Sequence, residues 1–304
     1  MNKEQFKSGF ASIIGRTNVG KSTLINLLVG EKIAIMTNKP QTTRTAIRAI
    51  INREHSQIVI IDTPGIHKSK TKLGKTMNDT AFDVTTDVDV ILFIIEATSK
   101  SIGPGERKIL DKIKEINKKT ILIINKIDLI KKEELLNLIK IYSEEYDFSA
   151  VLPISAIKLE SREIVLEEVE KLLKPGPAFY DIEEYTDQTA RQLVEEVIRE
   201  KALKLLEDEV PHGLYVEVEK MKLSKSRENN KPFYNIEANI YCLRESHKGI
   251  IIGKNGQMLK KIGTYARKDL EKMLGIKINL KTWVKVKEDW QDSENIVKKF
   301  KFMS

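Results

Sequence analysis

Five short, unbroken apolar runs alternate with helical patterns in the first half of the chain. The runs are rich in Ile and Val, which is typical of strands in a parallel sheet that is buried on both faces. The segments between them carry apolar residues at helical spacing, with charged residues in between. This alternation predicts an α/β domain with a doubly wound, mostly parallel sheet and helices on both faces. The runs are GFASIIG at 9–15, SQIVIID at 56–62, DVILFII at 89–95, KTILIIN at 119–125 and FSAVLPIS at 148–155.

The second half of the chain follows a different pattern. A helical stretch precedes two alternating strands, two further helical stretches flank GKNG at 253–256, and a last strand follows. The order α-β-β-α-α-β predicts a smaller α+β domain. Two prolines and a glycine in KPGPAFYDIEEY mark a linker between the domains. We therefore predict a first domain at 1–174, a linker at 175–186 and a second domain at 187–304.

The 304 residues are enough for two hydrophobic cores. The lone Cys242 excludes an intramolecular disulfide, and no cluster of Cys and His has the spacing of metal ligands, so we expect a reducing cytoplasm. No run approaches the ~18 apolar residues of a membrane span, and the first ten residues lack a signal-peptide core. A soluble, monomeric protein is expected, with at most weak peripheral membrane association.

The formal net charge of +8 is unevenly distributed. Residues 181–219 contain 4 basic and 12 acidic side chains, whereas residues 244–287 contain 12 basic and 3 acidic ones. The basic excess is therefore concentrated around GKNG, which predicts a polyanionic partner for the second domain.

The segment GRTNVGKS at 15–22 follows an apolar run and precedes a helical pattern, which is the context of a phosphate-binding loop. Gly15 and Gly20 let backbone N–H groups surround phosphates at the start of a helix. Lys21 would contact the terminal phosphates, and the hydroxyl of Ser22 would bind Mg²⁺.

The segment DTPG at 62–65 closes the apolar run SQIVIID, whose last residue is Asp62. Ligands bind at the carboxyl ends of the strands in such a sheet, so this segment is expected beside the phosphate loop. Asp62 would reach the Mg²⁺ shell, and Gly65 would donate a backbone N–H to the γ-phosphate.

The segment NKID at 125–128 predicts which base is bound. A carboxylate only accepts hydrogen bonds, so Asp128 suits the two adjacent donors of guanine, whereas adenine presents an acceptor there. Asn125 would brace a neighbouring loop or contact the base, and the stem of Lys126 would lie along the base. Ser155 and Ala156 would supply a backbone N–H to the guanine carbonyl. The full set predicted to bind GTP is Gly15, Arg16, Thr17, Asn18, Val19, Gly20, Lys21, Ser22, Thr23, Asp62, Thr63, Pro64, Gly65, Ile66, Asn125, Lys126, Asp128, Ser155 and Ala156.

These motifs are similar to those of the translation-factor-like family of GTP-binding proteins. Within it, KPQTTR at 39–44 followed by DTPG resembles a bacterial ribosome-assembly GTPase over nearly the whole chain. The resemblance implies a first switch at 41–45, where Thr43, or alternatively Thr42, completes Mg²⁺ coordination. It also implies a mobile second switch at 66–80.

Hydrolysis is expected to be slow without help. Many GTPases orient the attacking water with a Gln after the DxxG motif, but this chain has Ile66 there. The resemblance implies that Asn18 holds a potassium ion that adds positive charge near the phosphates, although Asn18 would equally suit a hydrogen bond within the loop. The catalytic set is Lys21, Asn18, Thr43 and Gly65.

In the second domain, the turn from Gly253 to Gly256 joins two helical patterns. A G-x-x-G turn lets a nucleic-acid strand approach the backbone, and Lys254 adds positive charge near phosphates. The pattern resembles a type II KH domain, which implies binding of single-stranded RNA near the 3′ end of small-subunit (16S) ribosomal RNA and a role in 30S assembly. The predicted RNA contacts are Ile251, Ile252, Gly253, Lys254, Asn255, Gly256, Lys260 and Lys261.

Three alternatives remain open on the sequence alone. The first is a KH-type RNA-binding protein whose nucleotide domain is inactive. The second is a GTPase that acts at the membrane or in the cell cycle. The third is a helix-turn-helix with a glycine turn in place of the KH domain.

The family usually has Gly and Asn after Ser155 and Ala156, whereas this chain has IKLES. Trp283 and Trp290 suit either base stacking or packing.

Overall fold

The computed structural model describes residues 5–37, 44, 46–67, 69, 71–226 and 230–302. The chain divides into two compact units. The first takes its residues from Met1–Ala34, Gln41–Asp187 and Val297–Ser304, and the second takes its residues from Ile35–Pro40 and Gln188–Ile296.

The sheet of the first unit has the strand order β2-β3-β1-β4-β5-β6, and β7 pairs with β1. The pairs β1–β3, β1–β4, β4–β5 and β5–β6 are parallel, whereas β2 is antiparallel to β3 and β7 is antiparallel to β1. All five predicted strands are present, and the predicted α/β fold is confirmed. The strands are β1 (Lys7–Ile14), β2 (Ile47–Asn52), β3 (Ser56–Asp62), β4 (Val90–Glu96), β5 (Lys119–Asn125), β6 (Ala150–Pro153) and β7 (Lys174–Pro175).

Helices cover both faces of this sheet, and each face has its own apolar core. The strands alternate their side chains between the two cores, so Ile13, Ile58 and Ile60 lie in one, while Ile14 and Phe93 lie in the other. The helices are α1 (Lys21–Val29), α2 (Lys72–Thr86), α3 (Pro104–Ile116), α4 (Lys132–Ser143) and α5 (Ser161–Leu172).

Helix α2 occupies much of the segment that the sequence suggested would be mobile. Its N-cap Thr71 accepts a hydrogen bond from the backbone N–H of Gly74, and Leu73, Met77 and Ala81 are buried. The predicted mobile segment at 66–80 therefore contains helix from Lys72 onward. The apolar face of this helix is hidden in the sequence by the many Lys, Thr and Asp residues between the buried positions.

The segment after β7 lies along the antiparallel edge of the first sheet. The side chain of Gln57 donates to the carbonyl of Tyr180 at 2.8 Å, and the backbone N–H of Ile50 donates to the carbonyl of Tyr185 at 2.9 Å. Arg48 pairs with Asp187 at 2.6 Å. The residues predicted as a linker at 175–186 are thus hydrogen-bonded within the first unit, and so is Asp187, which was predicted to begin the second domain.

The second unit has the predicted order α-β-β-α-α-β and a three-stranded sheet. Its order is β10-β9-β8, with β8 antiparallel and β10 parallel to β9. Helices α6, α7 and α8 contribute Val197, Ile251 and Ile262 to one core with Ile236 and Ile240 of the sheet. The elements are α6 (Ala190–Leu205), β8 (Tyr215–Lys225), β9 (Pro232–Cys242), α7 (Glu245–Ile252), α8 (Gln257–Leu274) and β10 (Lys277–Val286), and α9 (Glu294–Phe302) follows.

The lone cysteine and the two tryptophans of the chain occupy different environments. Cys242 is buried on β9. Trp290 is also buried, and its Nε1–H donates to the carbonyl of Gly213 at 2.9 Å. Trp283, by contrast, lies on β10 with 44% of its surface exposed.

Glu195 on α6 makes the stability of the second unit depend on pH. Burial raises the pKa of Glu195 to about 7, against the opposing hydrogen bond from the backbone N–H of Val218. A carboxyl whose folded-state pKa is raised contributes stability below its unfolded pKa, and this contribution is lost as the pH rises through the folded pKa. The stability of the second unit is therefore expected to fall between about pH 4.5 and 7.

Replacing Glu195 by Gln removes this ionisation and retains an acceptor for the N–H of Val218. The variant is expected to be more stable than the parent by about 2 to 3 kcal/mol at pH 8, and the gain should vanish toward pH 4.5. Urea unfolding followed by tryptophan fluorescence measures this, because Trp283 and Trp290 both lie in the second unit. The exposed Glu207→Gln is the control, and an equal gain in both variants would contradict the assignment to Glu195.

Across the residues that the structure describes, every helix is too short or too polar to cross a membrane.

Candidate nucleotide site and nucleic-acid interface

The phosphate loop runs from the end of β1 to the start of α1, as its spacing predicts. Asn18 and Gly20 adopt positive φ values of 67° and 103°, which turn the loop back on itself before the helix begins at Lys21. A Cβ on Gly20 would lie 2.2 Å from Nδ2 of Asn125, so a side chain would be excluded by contact as well as by conformation. Within the loop, the side chain of Val19 is buried in the apolar core, while Thr17, Ser22 and Thr23 are partly exposed.

Lys21 is buried within this loop. Its Nζ donates to the carbonyls of Gly15 at 3.0 Å and Arg16 at 2.7 Å. Burial lowers the pKa of Lys21 to about 8, and the nearby carboxylate of Asp62 opposes this shift. A phosphate bound here would offset the cost of burying the ammonium group, so the charge is held where an anion is expected.

The DTPG segment begins at Asp62, the last residue of β3, and lies against the phosphate loop. Asp62 is fully buried, and the hydroxyl of Thr63 donates to the carbonyl of Ile13 at 2.6 Å. A Cβ on Gly65 would lie 3.0 Å from Nζ of Lys21, which places the two segments in direct proximity. Pro64 is buried between Thr63 and Gly65.

Ile66 points away from the nucleotide site. Its backbone N–H donates to the carbonyl of Gly15 at 3.2 Å, and its side chain is 4% exposed within the apolar core around Phe93. The side chain therefore has neither the polarity nor the position to orient a water molecule.

Asn125 joins the phosphate loop to the segment after β6. Its Nδ2 donates to the carbonyl of Val19 at 2.8 Å, and its Oδ1 accepts from the backbone N–H of Ala156 at 2.9 Å. Because Asn125 is 2% exposed, its geometry favours bracing the loops over direct contact with the base.

Asp128 is oriented by Ser155. The hydroxyl of Ser155 donates to Oδ1 of Asp128 at 2.6 Å, and this hydrogen bond holds the pKa of the Asp128 carboxyl below its usual range. The carboxylate is thus ionised and exposed at the edge of the site, as an acceptor for guanine should be.

Lys126 crosses toward the phosphate loop. Its Nζ donates to the carbonyl of Asn18 at 3.0 Å and to Oε1 of Glu96 at 2.9 Å. Its ammonium group therefore ties the NKID segment to the phosphate loop.

Thr42 and Thr43, predicted as magnesium ligands in the first switch, lie outside the described residues. Apart from the side chain of Ile66, the residues predicted to contact GTP lie at the carboxyl ends of β1, β3, β5 and β6. This edge of the sheet is where doubly wound folds bind ligands.

Sequence reasoning missed two residues that fix the nucleotide site. Glu106 at the start of α3 is buried and pairs with Arg16 at 3.0 Å. Ser161 at the start of α5 donates to the carbonyl of Ser155 at 2.9 Å, which anchors the loop that departs from the family pattern. A serine at a helix start was a visible signal for the second contact, whereas nothing near Glu106 indicated the first.

The predicted RNA-binding segment joins α7 to α8. Gly253 has φ 72° and ψ 174°, a conformation essentially restricted to glycine, and Asn255 and Gly256 also have positive φ values. Lys254, Asn255, Lys260 and Lys261 are exposed. Ile252 is partly exposed, but Ile251 is fully buried and packs in the core, so its side chain does not reach the surface. The exposed apolar side chain here is Ile250.

Each of the two units matches a known protein family. A family model described as 50S ribosome-binding GTPase matches residues 10–126, and one described as KH domain matches residues 209–291. GTPase Era of Clostridioides difficile (strain 630) is 51% identical over 296 residues, covering 97% of this chain and 98% of the relative. GTPase Era of Ruminiclostridium cellulolyticum is 50% identical over 293 residues, covering 96% of each.

Two solved structures are similar over nearly the full length. Era in complex with MgGDPNP and nucleotides 1506–1542 of 16S ribosomal RNA has a TM-score of 0.91 and 37% identity, covering 97% of this chain and 98% of that one. A variant of Aquifex aeolicus Era bound to GDP·AlF4⁻ has a TM-score of 0.90 and 37% identity, covering 97% and 99%. The fold and the site thus define a P-loop GTPase, an enzyme that hydrolyses GTP, joined to a KH domain. The chain belongs to the GTPase Era family.

Proposed function

We propose that this GTPase binds the 3′ region of 16S ribosomal RNA through its KH domain, and that GTP hydrolysis times its action in assembly of the 30S subunit. The observation that carries the proposal is the full-length similarity to the Era structure that contains MgGDPNP and nucleotides 1506–1542 of 16S ribosomal RNA. Reciprocal linkage requires that, if GTP strengthens RNA binding, RNA strengthens GTP binding by the same factor.

The residues around the phosphate loop fit a Mg²⁺–GTP complex. Ser22 offers a hydroxyl in the first turn of α1, and the fully buried carboxylate of Asp62 lies close enough to Lys21 to affect its pKa. Hard oxygen ligands of this kind suit magnesium. Ser22 and Asp62 would hold the ion, together with Thr43 or Thr42, and the ion would neutralise charge on the phosphates. Lys21 would bind the terminal phosphates, and Gly65 would donate its backbone N–H to the γ-phosphate.

Catalysis is proposed to need an added positive charge, because Ile66 is packed in the apolar core and cannot position water. Asn18 supports this proposal by its position in the phosphate loop, where it has φ 67° and Nζ of Lys126 donates to its backbone carbonyl. Asn18 would bind a potassium ion beside the phosphates and so stabilise the charge of the transition state.

This role predicts that GTP turnover is faster in potassium than in sodium at equal ionic strength. Asn18→Ala should abolish the difference, lowering turnover in potassium by about tenfold, because the ion would lose a ligand. The exposed Asn137→Ala on α4 is the control and should leave the potassium effect intact. Steady-state phosphate release measures both, and a potassium effect that persists in Asn18→Ala would contradict the assignment.

RNA binding is proposed to centre on Lys254 and the backbone from Gly253 to Gly256. The test is fluorescence anisotropy with RNA of nucleotides 1506–1542 of 16S ribosomal RNA. Lys254→Glu should weaken binding by at least about tenfold, because it places a negative charge beside a phosphate. Lys140→Glu, the same charge change on an exposed side chain of the first unit, should have a much smaller effect. Equal losses in the two variants would contradict the proposed site.

A further inference from the structure

The three-stranded sheet of the second unit has a second face, opposite the helices. Ile236, Ala238 and Ile240 of β9 point into the core with α7 and α8. The alternate residues of each strand point the other way, and pairing places Trp283 beside Asn239 and Lys281 beside Glu237. This outer sheet face is therefore separate from the Gly253–Gly256 segment.

A shallow groove of about 130 Å³ crosses the outer sheet face. Glu237 on β9 is the acidic residue of its lining, and three lysines flank it, two on β8 and one on β10. Lys220, Lys222 and Lys281 are exposed, and within the part of the chain that the structure describes they form no ion pairs. The groove is lined by Lys220, Lys222, Asn235, Ile236, Glu237, Asn279 and Lys281.

Fixed amide groups form the floor of this groove. Nδ2 of Asn279 donates to Oδ1 of Asn235 at 2.9 Å, and Nδ2 of Asn235 donates to the hydroxyl of Ser224 at 2.9 Å. The groove thus combines neutral hydrogen-bonding groups with uncompensated positive charge, which is complementary to a sugar–phosphate backbone.

Trp283 lies on β10 just beyond the residues that line the groove. It is 44% exposed and lies two residues from Lys281 on the same face of β10, about 6.6 Å away along the strand. An exposed aromatic ring beside lysines is the combination with which proteins bind single-stranded nucleic acid, because bases stack on the ring while phosphates meet the charges.

The position of β10 connects this surface to the other nucleic-acid segment. β10 is the edge strand of its sheet, and α7, which ends at the Gly253–Gly256 turn, packs against it. A nucleic-acid strand held at that turn can therefore pass over the edge of the sheet without crossing the protein core.

We propose that the outer sheet face is a second RNA-contact surface, on which a base stacks on Trp283 while Lys220, Lys222 and Lys281 contact the backbone of the same RNA strand. This inference rests on the proposed RNA-binding function, because the strand reaches the outer face from the Gly253–Gly256 turn. The ligand is a single RNA strand that is longer than the few nucleotides the turn alone can hold.

Tryptophan fluorescence tests this contact directly, because Trp290 is buried and Trp283 is the other tryptophan of the chain. The probes are two RNAs drawn from nucleotides 1506–1542 of 16S ribosomal RNA, one of about four nucleotides, which a KH turn can clamp, and one of about twelve. The longer RNA should quench the fluorescence of the full-length protein and the shorter should not. Trp283→Phe should remove the quenching while the protein stays folded.

Affinities provide the second readout. Trp283→Ala and Lys281→Glu should each weaken binding of the longer RNA by about fivefold or more and leave binding of the shorter RNA within about twofold. Lys140→Glu controls for general charge and should change neither. Lys254→Glu should weaken both RNAs.

Each remaining outcome overturns the inference. If Lys254→Glu weakens both RNAs but the Trp283 and Lys281 variants bind as the parent does, the proposed function stands and the second surface does not. If neither RNA binds the parent protein, both fall. If the fluorescence yield per protein molecule changed with protein concentration but not with RNA, the outer sheet face would be a contact between two copies of this chain.

Discussion

Replacing Asp128 by Asn is expected to lower the affinity for GTP by about two to three orders of magnitude and to raise the affinity for xanthosine triphosphate. In the proposed base recognition the Asp128 carboxylate would accept from both guanine donors, whereas an amide would turn its own N–H toward one of them. Xanthine carries a carbonyl in place of the guanine amine, so an amide matches its donor and acceptor. Competition binding with a fluorescent nucleotide measures both affinities.

The control for this change is Ser155→Ala. It removes the hydroxyl that donates to Oδ1 of Asp128 but keeps the carboxylate, so only a modest loss of GTP affinity is expected, about severalfold. Ser155 can still donate to the carbonyl oxygen of an Asn side chain, so Asp128→Asn should fold normally. If Asp128→Asn bound GTP within tenfold of the parent, the base-recognition role of Asp128 would be wrong.

Replacing Gly20 by Ala is expected to reduce nucleotide affinity by at least about 100-fold. Gly20 has φ 103°, and an added Cβ would lie 2.2 Å from Nδ2 of Asn125. Asn125 would have to release the carbonyl of Val19, which deforms the phosphate loop and disturbs the segment at Ala156 together. Nucleotide titration measures the affinity, and urea unfolding separates it from a loss of fold.

Gly30→Ala is the matched control, because Gly30 caps the other end of the same helix. Its φ is 85°, but nothing lies within 4 Å of an added Cβ. The substitution should cost about 1 kcal/mol of stability through backbone strain and leave nucleotide affinity unchanged. Equal affinity losses in the two variants would show that strain at either end of α1, rather than the contact with Asn125, controls the site.

The strands and motifs were predictable because their signals are local. Buried parallel strands appear as unbroken apolar runs, and the nucleotide segments follow directly after them. The strand β2 was missed because it is an edge strand with Arg48 near its start, so it lacks an unbroken run. Helix α2 was missed because its buried residues are spaced among polar ones.

The contacts that assemble the site were less predictable. Asn125 joins segments that are 106 and 31 residues away in the chain, and the pairing of Arg16 with Glu106 spans 90 residues. Such contacts depend on how neighbouring strands are ordered in the sheet. The sequence allowed Asn125 to brace a loop or to contact the base, and burial of its side chain favours the first role.

The proposed function joins two sites by linkage, because nucleotide would bind at Lys21 and Asp128 and RNA would bind at Lys254. If hydrolysis is slow because Ile66 cannot position water, then a change in turnover on RNA binding is the direct sign that the sites communicate. A KH domain attached to an independent GTPase would bind RNA without any such change.

The most direct test of this coupling is steady-state GTP turnover with and without RNA of nucleotides 1506–1542 of 16S ribosomal RNA, in the parent protein and in Lys254→Glu. RNA is expected to raise turnover of the parent severalfold, and Lys254→Glu is expected to lose this stimulation while keeping its turnover without RNA. If turnover were the same with and without saturating RNA, GTP hydrolysis and RNA binding would not be coupled, and the proposed function would be wrong.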